Sequence, residues 1–236
     1  MWWTLAMVAF PQVQRRAQAE LDGTVGRTRL PTFSDAPRLP YVRSVIKEVL
    51  RWRPPVPLGV PHKATEDDFY EDMFIPKGAT CIANVWQCNH DRAVFGDDAD
   101  EFRPERHLDD EGELLPGPVE TNQDGHAAFG FGRRMCVGKY IANDSLFIHT
   151  TRILWAATLE CVQDENGEDV VPDINLFVDM GLIMWVLMLV DRFGMLLTFL
   201  CVAILCRTTV GLRPVSLKRG LFLRRRPRAS KVRCLA

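Results

Sequence analysis

Apolar side chains recur with a helical period in three stretches of this chain, and they alternate or cluster in short pieces between them. Pro11 suits the first turn of a helix. Val13, Ala17, Leu21 and Val25 then return every fourth residue until Gly26, which predicts an amphipathic surface helix. Val42, Val45, Ile46, Val49 and Leu50 make the clearest pattern, an i, i+3, i+4, i+7, i+8 stripe over 41–53. Pro54 and Pro55 stop it. Residues 27–39 read as a loop with Pro31, Asp35 and Pro37 as turn residues. Strand-like pieces follow at 58–64, 69–75 and 80–85, parted by Asp67-Asp68 and Pro76-Lys77-Gly78; they predict a small antiparallel sheet. A short helix is expected over 86–92, and an irregular acidic loop over 109–125. The third helical run is 140–159, with Ile141, Leu146, Phe147, Ile148, Leu154 and Trp155 on its buried side. The fold class is therefore mainly α with a small antiparallel β region.

The composition narrows this picture. The 236 residues are 47% hydrophobic, enough for a core, and carry a formal net charge of −1. That figure hides an asymmetry: ten of the 29 Lys and Arg lie in 207–236, which has no Asp or Glu. The first 206 residues therefore hold 19 basic against 30 acidic groups. Such a body gives no electrostatic reason to expect nucleic acid. Seven cysteines, an odd number without paired spacing, fit a reduced compartment better than a disulfide framework. Cys81, Cys88 and His90 lie close in sequence without a usual zinc spacing. They read as a buried thiol, a second thiol and a surface imidazole. The apolar start, residues 1–10, is half the length of a spanning helix and lacks a basic flank, so neither signal nor anchor is read there.

Residues 183–210 are almost all apolar, broken by Asp191, Arg192 and Arg207. Residues 182–206 have the length of a bilayer span. Asp191 and Arg192 each oppose insertion by ~2.5–3.5 kcal/mol, which Leu, Ile, Val and Phe at ~0.3–0.6 kcal/mol each can roughly offset.

The chemistry concentrates in Phe129-Gly130-Phe131-Gly132-Arg133-Arg134-Met135-Cys136-Val137-Gly138. A cysteine closes a glycine-punctuated loop directly before a helical run. The free N–H groups and positive dipole end of that helix favour an anionic sulfur. Glycines let the backbone come close to a flat partner, and the two arginines suit carboxylates. A lone cysteine would read as a structural thiol; ten residues in this pattern point to a metal ligand. Glu48 and Arg51 stand one turn apart opposite the apolar stripe. On spacing alone they are an exposed ion pair worth a few tenths of a kcal/mol.

These residues resemble the signatures of the cytochrome P450 family, with a fungal character. The loop matches Phe-Gly-x-Gly-x-Arg-x-Cys-x-Gly at every fixed position. Glu48-x-x-Arg51 matches the Glu-x-x-Arg signature, and Phe102-Arg103-Pro104-Glu105-Arg106-His107 matches Phe-x-Pro-x-Arg-Phe with His107 for the commoner Phe. The resemblance covers the C-terminal part of the family's fold, over about residues 4–182. It implies haem b as cofactor, with Cys136 as the axial thiolate of its iron. Phe129, Gly130, Gly132, Arg134, Gly138 and His62 are implied haem contacts, Arg134 and His62 at the propionates. It further implies a structural triad of Glu48, Arg51 and Arg106, and a substrate-facing stretch of Pro57, Leu58, Gly59 and Val60.

The implied activity of an intact member is monooxygenation of an apolar organic substrate with O2, using an NADPH-dependent cytochrome P450 reductase. The implied location is the cytoplasmic face of the endoplasmic reticulum membrane. No Ala-Gly-x-Asp/Glu-Thr acid/alcohol pair occurs among these residues, so no catalytic proton donor is identified, and turnover is not expected of these residues alone. The organisation read here is 1–182 as P450 domain, 183–210 as apolar insertion and 211–236 as basic tail. The insertion interrupts a Gly-Leu pair that reappears as Gly211-Leu212-Arg213-Pro214. It reads either as a retained intron or as a transmembrane helix giving membrane association through 182–206. Two other classes stay open: a non-catalytic truncated or pseudogene product, and a small membrane protein with a vestigial haem motif.

Overall fold

The computed structural model describes residues 2–163, 166, 168–170, 172 and 174, together with the strand Phe222–Arg225. The expectations for residues 175–221 and 226–236 lie outside the described residues, including the apolar run 183–210 and most of the basic tail. Among the described residues no helix is long and apolar enough to cross a membrane. The chain divides into two compact units, residues 1–35 with 148–236, and residues 36–147.

The first unit opens with α1 (Trp2–Ala9), for which the uniform apolarity of the start gave no period to read. Helix α2 (Pro11–Thr24) has its proline at the first turn, and Val13, Ala17, Leu21 and Val25 are all buried. Gln14 and Gln18 are buried beside them. Their amides serve the backbone of β5 (Ala157–Glu160). Gln14 Nε2 donates to the Leu159 carbonyl at 2.9 Å while its Oε1 accepts from the Leu159 N–H at 2.7 Å. Gln18 Nε2 donates to the Ala157 carbonyl at 2.9 Å. Side chains thus take the place of a neighbouring strand for backbone groups that burial would otherwise orphan. The unit also holds two antiparallel ladders, β5 with β8 (Phe222–Arg225), and β6 (Val162–Gln163) with β7 (Asp169–Val170).

In the second unit, α3 (Pro40–Trp52) buries its whole expected stripe, and Tyr41, Glu48, Arg51 and Trp52 besides. A helix covered on nearly every face has charged groups inside, and they must be paired there. The expected sheet is smaller and differently divided. β1 (His62–Lys63) pairs with β4 (Thr80–Cys81), and β2 (Asp68–Tyr70) pairs separately with β3 (Met73–Ile75). The piece 69–75, read as one strand, is therefore a hairpin. Its turn is Glu71-Asp72, both with positive φ (46° and 63°), the conformation that tight hairpin turns demand. Two short helices follow, α4 (Val85–Asn89) and α5 (Arg92–Phe95).

The readings of Cys81 and His90 are reversed. Cys81 lies exposed on β4. His90 is buried, stacked on Trp86 at 4.2 Å between ring centroids, with Nδ1 2.8 Å from the Trp86 carbonyl. Helix α6 (Lys139–Ala156) starts where expected but gives way to β5 at Ala157. Phe147 and Leu154 are buried on it, whereas Ile141 is exposed. Ile141 and Phe147 stand six residues apart, about 120° around the helix axis, so one face cannot hold both.

Candidate functional site

The second unit gathers Glu48, Arg51 and Arg106 into one buried cluster. Arg51 meets Glu48 through two parallel bonds, Nε to Oε2 and Nη2 to Oε1, each 2.8 Å. Arg106 Nε donates to Glu48 Oε1 at 3.1 Å, and the Arg103 backbone N–H donates to the same oxygen at 2.9 Å. The pair read from spacing as an exposed i, i+3 bridge is fully buried on both sides. What covers it is the stretch 89–106, short helical turns joined by irregular backbone, whose carbonyls the two guanidiniums collect. Arg51 donates to the carbonyls of Asn89, Ala99 and Glu101 at 2.7, 2.6 and 2.8 Å. Arg106 donates to those of Phe95 and Asp98 at 2.9 and 2.8 Å. The irregular stretches on either side of α5 can be buried here because their polar groups have these partners. Burial pushes the Glu48 carboxyl up, but hydrogen bonds from Arg51 and His107, together with the Arg51 charge, outweigh it and hold the group at about 2.

Asn89 carries this cluster toward the cysteine loop. Its side-chain N–H groups donate to the Leu50 and Arg51 carbonyls at 3.3 and 3.0 Å, satisfying orphan acceptors at the end of α3. Its Oδ1 accepts from the Ala127 N–H at 2.7 Å, two residues before Phe129. Sequence reasoning missed Asn89, because one polar residue in a short helix carries no spacing signal.

The loop itself is closed by the Cys136 N–H donating to the Phe129 carbonyl at 2.9 Å. Gly130 and Gly132 take positive φ of 76° and 54°, and Gly132–Arg134 form a 3-10 turn. Helix α6, 18 residues long, begins three residues after Cys136. Its start is tied down by Lys139 Nζ, 2.6 Å from Asp124 Oδ2. Behind the loop, His126 is buried with its ring 5.5 Å from that of Phe129. Burial first, then the neighbouring His107, Lys47 and Lys139, push the His126 imidazole down to about 3.

The surface around the thiol fits a flat, largely apolar group with acidic edges. Cys136 is exposed. Val137 is 100% exposed, and Phe131 is exposed earlier in the same loop. Among the described residues, no atom beyond the adjoining chain neighbours stands within 4 Å of a Cβ built on Gly130 or Gly132. Arg134 is solvent-open on the same loop, Phe129 is half-buried, and a Cβ at Gly138 would meet the Cys136 sulfur at an ordinary 3.7 Å. His62 lies exposed on β1, while of the preceding stretch Pro57 is buried, Gly59 half-buried, and Leu58 and Val60 exposed.

The family model for cytochrome P450 matches residues 1–179. A cytochrome P450 monooxygenase of Armillaria gallica is 52% identical over 182 residues, covering 77% of this chain and 35% of that protein. Cytochrome P450 monooxygenase 58 of Postia placenta is 50% identical over 179 residues, 76% of this chain and 34% of its own length. Cytochrome P450 monooxygenase iboC of Amanita muscaria is 39% identical, over 77% of this chain and 40% of its length. The chain thus spans about a third of the length of the curated relatives it matches.

Proposed function

From the premise that the chain belongs to the cytochrome P450 family, we propose that it is the haem-binding, iron-ligating part of a monooxygenase. The observation that carries this reading is the exposed Cys136 thiol, held at the start of α6 by a glycine loop that Asn89 ties to the Glu48 clamp. Cys136 would hold the iron of haem b through its thiolate. Gly130, Gly132 and Gly138 would leave room for its flat ring, Phe129 would shield the thiolate, and Arg134 and His62 would bind its carboxylates. Glu48, Arg51 and Arg106 hold the backbone around this loop. Leu58 and Val60 would face an apolar substrate, with the half-buried Gly59 between them and the buried Pro57 before them. Haem, when bound, supplies the oxygen chemistry: one atom of O2 enters an apolar organic substrate and the other leaves as water, with electrons from an NADPH-dependent reductase. The site of action is the cytoplasmic face of the endoplasmic reticulum membrane.

The test is the reduced carbon-monoxide spectrum of the protein completed by an upstream region of the relatives' length. Cys136→Ser should abolish the thiolate band, and Cys81→Ser and Cys88→Ser should keep it. A band that survives in Cys136→Ser overturns the reading. These 236 residues alone contain no acid/alcohol pair for delivering protons, so with haem, reductase and NADPH they should give no coupled product.

A further inference from the structure

Glu48 has more donors than the two arginines. Its Oε1 accepts from Arg51, Arg106 and the Arg103 N–H, whereas its Oε2 has Arg51 Nε at 2.8 Å and His107 Nε2 at 2.9 Å. His107 is 4% exposed and Glu48 fully buried. Without His107, Oε2 would keep a single donor in a site water does not reach. The far edge of the ring stands against the loop 115–125. A Cβ built on Gly125, which has a φ of +80°, would lie 2.8 Å from His107 Nδ1. The His107 carbonyl accepts from the Leu115 N–H at 2.9 Å. The Gly125 N–H in turn donates to Thr121 Oγ1 at 3.0 Å.

We propose that His107 is a positioning residue of the clamp: as the neutral imidazole protonated at Nε2 it completes the acceptor set of Glu48 and locks the 115–125 loop against α3. A carboxylate only accepts, so the ring nitrogen facing it must carry the hydrogen. Burial disfavours a second proton, and the nearby Lys47 and Arg51 add to that. The Glu48 carboxylate pulls the other way but does not prevail, and the imidazole is held below its ordinary range. The ring's two edges then do different work. Nε2 bonds to α3, and Nδ1 fits the glycine-sized gap at Gly125. Phenylalanine would fill the same volume but leave Oε2 short of a donor. The inference goes beyond haem ligation and rests on the packing of residues 36–147.

The experiment uses the full chain labelled with 15N-histidine, the His107 signals being assigned by their loss in His107→Gln. Near neutral pH the shifts should show a proton on Nε2 and none on Nδ1. An Nδ1–H tautomer or an imidazolium overturns the proposal. In urea unfolding, His107→Phe should lower the folding equilibrium constant roughly tenfold to a hundredfold. His107→Gln, whose amide can reach Glu48, should recover most of that loss. Wild-type stability in His107→Phe, or equal losses in the two variants, shows that the Nε2 donor does not matter.

Discussion

Glu48 and Arg106 are 58 positions apart in the chain, yet their Oε1 and Nε atoms stand 3.1 Å apart in a site closed to solvent. This contact joins a helix to the irregular segment that covers it, so removing the carboxylate should be felt on both sides. In Glu48→Ala, Arg51 and Arg106 would face each other with an uncompensated charge. The expected loss is about 3–5 kcal/mol by urea unfolding, against about 0–1 for an exposed pair. A loss in the lower range would mean that the wrapped backbone, and not the carboxylate, holds the two guanidiniums.

Asn89 should matter out of proportion to its size. Asn89→Ala orphans the Leu50 and Arg51 carbonyls and the Ala127 N–H, each at about 1–3 kcal/mol where water cannot enter. Asn89→Asp keeps the acceptor for Ala127 but sets a carboxylate against the two carbonyls, and should be the worse of the two. Hydrogen exchange at the Ala127 amide gives the local readout. It should accelerate in Asn89→Ala beyond the change in global stability, and an unchanged relative rate would place the loop's anchoring elsewhere.

The helices were legible because their stripes were long enough to count: every expected apolar position of α2 and α3 is buried. The fold class follows from them and from the family. The burial of Glu48 and Arg51 could not come from periodicity, since it puts both on the polar face. It depends on residues 89–106 returning to cover them. His90 and Cys81 show the same limit in reverse. Cys81 sits in a two-residue strand and His90 just past a five-residue helix, pieces too short to show a period, so local pattern misjudged both. His107 stood out only as a departure from a motif, because its bond to Glu48 joins segments 59 positions apart.

Asp35 offers a test of a different latch. It is buried and accepts from both Arg29 Nη atoms, at 2.7 and 2.6 Å, and from the Thr32 N–H at 2.9 Å. The Arg29 hydrogen bonds hold its carboxyl well below the usual carboxylate range, against the opposing pull of burial. Asp35→Asn keeps one acceptor oxygen and loses the fork. Because Arg29 is 45% exposed, solvent screens much of the charge. The expected loss is about 1–2 kcal/mol, and it should shrink in high salt. Salt-independent destabilisation would assign the effect to the Thr32 turn.

The buried histidines set a pH dependence whose sign is fixed by His126. Its folded imidazole is held down at about 3, against an ordinary 6.5. Above pH 6.5 both folded and unfolded chains carry it neutral. As pH falls below 6.5 the unfolded chain takes up a proton that the folded one refuses until about pH 3. Stability therefore declines across that window, by up to about 1.4 kcal/mol per pH unit for one proton. His90 and His107 are shifted the same way, so they add to the decline. Glu48 enters lower: its stabilisation is present above about 4.5 and lost as pH falls toward about 2. The interval from 6.5 to 4.5 thus belongs to the histidines. His126→Asn preserves an acceptor for the Ala128 N–H, which now donates to Nδ1 at 3.3 Å, but cannot titrate. Chemical unfolding at several pH values between 6.5 and 4.5 should show a shallower slope in this variant by as much as one proton. An unaltered slope would mean that His126 charges in the folded chain as readily as in the unfolded one, with the cluster of Lys47, Lys139 and His107 too well screened to resist it.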